Sequence, residues 1–126
     1  MKQNITALII FALIISGAVF SLNYTNQVSR EITDTLKLCE DYVMQNNWSS
    51  ATMHISNTKN LWDKYHPRLA VLLSHRELNE ISDLIVTVTS LVFLNDKNTF
   101  ITENKRLTAL VENLNKGDSL TFENLF

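Results

Sequence analysis

Apolar residues are distributed along this chain in two ways. From Ile5 to Leu22 they run on without a single charge. From Val28 onwards they recur every three or four residues with polar side chains between them. The first pattern belongs to a helix that is apolar on every side, the second to amphipathic helices that bury one face. Val28, Ile32, Leu36, Cys39 and Val43 predict such a face on a helix over about residues 25–45, with Asp34, Lys37, Glu40 and Asp41 off the stripe. Asn46-Asn47 then predicts a turn. Trp48, Ala51, Ile55, Leu61, Trp62 and Tyr65 make the next stripe, and the two Trp, fourteen residues apart, return nearly to the same side of a helix. Pro67 pushes the residue before it out of the helical region, so a boundary or kink is expected at His66, followed by a short apolar turn through Leu69, Val71, Leu72 and Leu73.

Ser74, with Glu77 three residues on, has the form of a capping box opening a third helix. Its stripe runs through Leu78, Ile81, Leu84, Ile85, Val88, Leu91 and Val92. Val86, Val88 and Val92 favour strands, but the helical period is sustained over five turns and overrides that preference. Asn95–Asn98 predicts the next turn. Phe100, Ile101, Leu107, Leu110, Val111 and Leu114 predict the last helix, closed by Gly117 in the position past a helix end. The tail, with Leu120, Phe122, Leu125 and Phe126, is expected to dock on the bundle. The fold class is therefore all-α: an N-terminal transmembrane helix followed by a small antiparallel helical bundle of about four helices. Trp48, Ala51, Trp62, Ile81, Leu84 and Val88 are expected core residues.

The apolar run would span about 27 Å as a helix, close to the thickness of a bilayer's hydrocarbon core. Lys2 and the terminal amine precede it, and the next charge is Arg30. That asymmetry predicts a single-pass protein of the cell membrane with its N-terminus in the cytoplasm. Residues 1–24 would be the anchor, held in the lipid bilayer through residues 5–22, and residues 25–126 the extracytoplasmic domain. A cleaved signal peptide is the competing reading, since Ser16-Gly17-Ala18 offers small residues at a suitable spacing. Against cleavage, the apolar run continues through Val19, Phe20 and Leu22.

The remaining hundred residues suffice for one compact domain. One Pro and two Gly in the whole chain leave too few turn residues for a β-sandwich. Without Lys2 the balance is ten basic against thirteen acidic residues, a formal net charge of −3, and no basic patch points to nucleic acid. The single Cys, outside the cytoplasm, excludes an internal disulfide framework. Cys39 lies on the apolar stripe and reads as a buried thiol, with an intermolecular disulfide as the alternative.

At this point the residues resemble a known family. The frame Asn47-Trp48-x-x-Ala51, then Trp62-x-Lys64-Tyr65-x-Pro67, then His75-x-Glu77-Leu78-x-x-Ile81, and a closing Asn124-Leu125-Phe126 resemble the bacterial family labelled domain of unknown function 4363. The resemblance covers essentially the whole chain. It implies a short protein, largely of spore-forming Firmicutes, with one amino-terminal membrane segment and a helical remainder; it implies no chemistry. This chain departs from the pattern at Ser74, where the family often has an acid, and at Asn113, where it often has a His.

His75 and Glu77 are the best polar pair, a candidate ligand-contacting or structural site. Two residues apart on a helix, they point to different sides and cannot jointly chelate one ion. His54 and His66 lack companions at ligand spacing, and zinc would want three or four ligands. No nucleophile–base–acid frame and no Gly-rich phosphate loop is present. No catalytic residue, metal or cofactor is therefore expected, and the protein does not read as an enzyme. The most unusual segment is Leu84–Leu94, eleven residues without charge. One side, through Leu84, Val88 and Leu91, should pack internally. The other, through Val86, Phe93, Thr87 and Thr89, should meet the tail or another chain. Two functions follow: a membrane-anchored interaction or accessory module for an envelope or integral membrane protein, with a protein partner or self-association, or an extracytoplasmic small-molecule or ion-binding sensor acting through a partner.

Overall fold

The structure, a computed structural model, describes residues 1–114. Gly117 and the tail 120–126, for which a helix end and a docking role are expected above, lie outside the described residues. Four helices follow in order: α1 (Lys2–Met44), α2 (Trp48–Leu72), α3 (His75–Phe93) and α4 (Lys97–Glu112). Among the described residues there is no strand. The period of the apolar stripe has prevailed over the strand preference of the α3 valines, because Val88 and Val92 are fully buried on that helix's inner face.

Two boundaries differ from the sequence expectation. The apolar segment and the first amphipathic segment are one helix of 43 residues. Nothing between Leu22 and Val28 breaks it: the stretch holds no Gly or Pro, and Thr25 Oγ1 donates to the Ser21 carbonyl at 2.9 Å, within the helix. Likewise α2 passes through Pro67 and ends at Leu72, so His66 is not a boundary. A proline inside a helix leaves the carbonyl four residues back, that of Asp63, without its amide partner. Pro67 and Asp63 are both exposed, and on that side water can take the place of the lost donor.

The two outer turns share one device. Asn46 and Asn95 adopt left-handed backbone angles, φ 59° and 55°. At the first turn the Asn47 amide donates to the Tyr42 carbonyl at 2.8 Å and the Asn46 amide to Val43 at 3.0 Å. At the second, Asp96 donates to Leu91 at 3.0 Å and Asn95 to Val92 at 3.1 Å. This pair of hydrogen bonds closes a helix end around a left-handed residue, a place asparagine tolerates better than most. The next residue then caps the following helix: Asn47 accepts from the Ser50 amide and Asp96 from the Thr99 amide. Asparagine thus replaces glycine at both turns, which is how a chain so poor in Gly folds back on itself. Between α2 and α3 the work falls to Ser74, whose hydroxyl accepts from the Glu77 amide at 3.4 Å.

Each helix packs on its neighbours in sequence, and α4 closes the ring against α1. Polar contacts record the antiparallel register. Cys39 Sγ donates to the Ala51 carbonyl at 3.4 Å, and Thr58 donates to Thr35 Oγ1 at 2.7 Å. Ser29 donates to the Val111 carbonyl at 3.0 Å, and Asn104 Nδ2 to the Leu36 carbonyl at 3.3 Å. The core is built from Ile32 and Leu36 of α1, Ile55 and Leu69 of α2, Leu78, Ile81 and Ile85 of α3, and Phe100 and Leu107 of α4, all essentially solvent-free. Each such side chain contributes about 1.5–3 kcal/mol by leaving water. The expected core residues Ala51, Trp62, Ile81, Leu84 and Val88 are buried, while Trp48 is half-buried and packs on the core's edge.

The first half of α1 lies outside the bundle. Its most apolar stretch has a mean hydropathy of 2.6, and none of it is buried. By length and composition α1 is the one helix, among the described residues, able to cross a membrane.

Candidate functional site

The polar candidates can be placed one by one. His75 is exposed on the first turn of α3, and Glu77 is half-buried one step on, its amide taken by the Ser74 cap. His54 lies flat against Tyr42, ring centroids 5.0 Å apart, and His66 meets the Trp62 ring edge-on at 5.6 Å. These two histidines cover aromatic surface. Among the described residues no group of three or more His, Cys, Asp or Glu side chains is arranged to hold a metal ion.

Cys39 is fully buried. Burial, and then the neighbouring Glu40 charge, push its thiol up to about 12, so it stays protonated and is a poor nucleophile. Tyr65 donates its hydroxyl to Glu31 Oε2, tying α2 to α1, and this bond to a carboxylate, with burial second, raises the tyrosine pKa. Tyr24 packs edge-on against Tyr65, and Phe20 stacks on Tyr24. An aromatic ladder therefore climbs from the apolar run into the bundle.

Three features sequence reasoning did not locate. Asn104 is fully buried, and its Oδ1 finds no partner among the described residues. The residue gave no signal in the sequence, since an Asn among Glu103 and Lys105 reads as solvent-facing. The second is an open groove of about 270 Å³ beside Pro67, lined by Trp62, His66 and Ser82. There Trp62 Nε1 donates to Ser82 Oγ at 2.8 Å, linking α2 and α3. The third is the α2–α3 corner. Of its four leucine and valine side chains only Leu69 and Leu73 are buried; Val71 is 84% exposed and Leu72 37%. Together with Phe20, Tyr24 and Arg68 they line a mostly apolar concavity of about 380 Å³.

The uncharged segment of α3 is amphipathic after all. Leu84, Ile85, Val88 and Val92 are buried, and Leu91 is half-buried. Val86, Thr87, Ser90 and Phe93 face outwards, with Val86 and Phe93 more than half exposed and Leu94 beyond them 75% exposed. The hydroxyls of Thr87, Thr89 and Ser90 donate to carbonyls one turn back, so this face turns methyl groups outward and keeps its polar atoms on its own backbone.

The described residues thus define a small antiparallel four-helix bundle fused without a break to an apolar helical extension. The chain belongs to the DUF4363 family, a domain of unknown function whose profile matches residues 19–125. The match starts inside the last turns of the apolar run, so the junction between extension and bundle is part of the family's unit. No curated protein and no solved structure matches the chain.

Proposed function

We propose that this protein is a single-pass, membrane-anchored helical interaction module, its bundle outside the cytoplasm, serving an envelope or integral membrane protein. The observation that carries this reading is the pairing of two unburied apolar surfaces, one on the helix that leads into the bundle and one on the bundle. The exposed run Ile5–Leu22 matches a bilayer in length, and the α3 face through Val86, Phe93 and Leu94 lies on the bundle itself. Contiguous apolar surface of this kind is uncommon on monomers and marks contact sites. From Leu22 to Met44 the helix rises about 33 Å, so Phe93 and Leu94, at the same end of the bundle as Met44, stand far from the membrane and within reach of a tall partner. Anchor and contact face are separated by the bundle, which acts as a spacer.

The test is Val86→Glu with Phe93→Glu in the full chain, extracted in mild detergent. The helical signal should persist while a stoichiometric protein partner, or the self-associated form, is lost. Unfolding of the double variant would remove the interaction face from the argument. A metabolite or ion retained by the pure protein would favour the sensor reading.

A further inference from the structure

Resting on the anchor reading above, we infer a second membrane contact: the α2–α3 corner, with Val71 and Leu72 at its tip and Arg68 and Arg76 on its rim, seats the bundle on the lipid surface. The helix pairing fixes the corner's height. Register runs antiparallel from Cys39 against Ala51, through Thr35 against Thr58, to Glu31 against Tyr65. Continued downward it brings Val71 and Leu72 beside Phe20 and Tyr24, with which they line one concavity. Phe20 is itself part of the apolar run, and Tyr24 lies about 3 Å beyond its end, since a helix rises about 1.5 Å per residue. Because α1 is unbroken between run and bundle, an inserted run brings the corner to headgroup level.

The corner's chemistry fits that depth. Residues 68–76 read Arg-Leu-Ala-Val-Leu-Leu-Ser-His-Arg, with two Arg, one His and no acid. Arg68, His75 and Arg76 are all exposed, as are Val71 and Leu72. An apolar tip with a guanidinium rim is the pattern of segments that dip below the phosphates while pairing with them. A bundle so seated would be held upright by two points rather than hung from one, which would fix the direction in which the α3 face is shown.

The test uses the full chain with Cys39→Ala, reconstituted into vesicles of equal parts phosphatidylglycerol and phosphatidylcholine. Single labels are attached at Ile9→Cys, Val71→Cys and Val86→Cys, and quenching is read from nitroxide-bearing lipids. Val71 and Val86 are exposed, so neither label disturbs the core. The expected result is strong quenching at Ile9 and quenching at Val71 at least about threefold that at Val86, as for a residue at the acyl boundary against one well above it. Arg68→Gln with Arg76→Gln should lower the Val71 signal, and added salt should do the same to the parent. Quenching at Ile9 with none at Val71 would leave the anchor standing and overturn the seating. No quenching at either would overturn both. A blue-shifted Val71 label that lipid nitroxides do not reach would show a protein contact instead and also refute it.

Discussion

Truncating Trp62 tests the packing of the bundle at its most informative point. The side chain is 97% buried, because only 3% of its surface is exposed, and its Nε1 donates to Ser82 Oγ at 2.8 Å. Removing a ring of this size from a closed core costs about 3–5 kcal/mol through lost transfer energy and the cavity left behind. A domain this small has a total stability of about 5–15 kcal/mol, so Trp62→Ala should take a large part of it. The hydrogen bond can be separated from the ring. Trp62→Phe keeps an aromatic in place and frees the Ser82 hydroxyl, which is half-buried and open to water, at a cost of about 1 kcal/mol beyond the lost ring area. Ser82→Ala removes the partner of the indole N–H beside the open groove and should cost about 1 kcal/mol. The double variant Trp62→Phe/Ser82→Ala should fall short of the sum by roughly 1 kcal/mol, the coupling of the bond itself. Urea unfolding of the detergent-solubilised chain, followed by helical circular dichroism and by the remaining Trp48 fluorescence, supplies the numbers. A cost below about 1 kcal/mol for Trp62→Ala would mean that the ring lies at the surface and that α2 and α3 do not pack around it.

Asn104→Leu should stabilise the bundle by about 1 kcal/mol: the Leu36 carbonyl stays paired within its helix, and the unsatisfied Oδ1 is removed. A loss of similar size would show that the amide, rather than its burial, is what the core needs. The Cys39 thiol should resist maleimides in the native protein at pH 8 and react fully once unfolded; rapid native labelling would contradict its burial. Its folded pKa lies above the ordinary value of 9.0, so the folded state holds the proton longer. The stability this provides is whole below about pH 9 and drains away as pH rises towards about 12. Tyr65, also raised, acts in the same direction above pH 10.0, and Cys39→Ala with Tyr65→Phe should flatten the alkaline limb of stability against pH. His75→Ala should leave both stability and elemental content unchanged; loss of a bound ion in that variant would reinstate a ligand site on α3.

Much of the fold is legible in the sequence because helical packing leaves a periodic trace. Val28, Ile32, Leu36, Cys39 and Val43 recur as a stripe, and all five are among the residues α1 buries. The Ser74 cap and the turns at Asn46 and Asn95 are equally local, each resting on a side chain and amides within a few residues. Pro67 does not end α2 because its local cost, about 3 kcal/mol in a helix interior, is outweighed by burying Trp62, Tyr65 and Leu69 on one continuous face. The separate helix start expected at about Thr25 is absent for a related reason: a change from all-apolar to amphipathic pattern alters what surrounds a helix and does not interrupt its hydrogen bonds.

What the sequence by itself determined is the set of elements: an apolar segment of membrane length and amphipathic helices in a fixed order. These follow from spacing and composition, which act over a few residues. What only the tertiary structure decided is which neighbours those elements acquire. Asn104 is buried because α4 lies against Leu36 of α1, sixty-eight residues away, and nothing near it in sequence says so. Val71 and Leu72 are left bare because the corner they form extends past the bundle's core and beside the root of the apolar run, so they meet Phe20 and Tyr24 across a gap. Val86 and Phe93 are exposed because a ring of four helices can cover only one side of each, whatever the residues on the other side prefer.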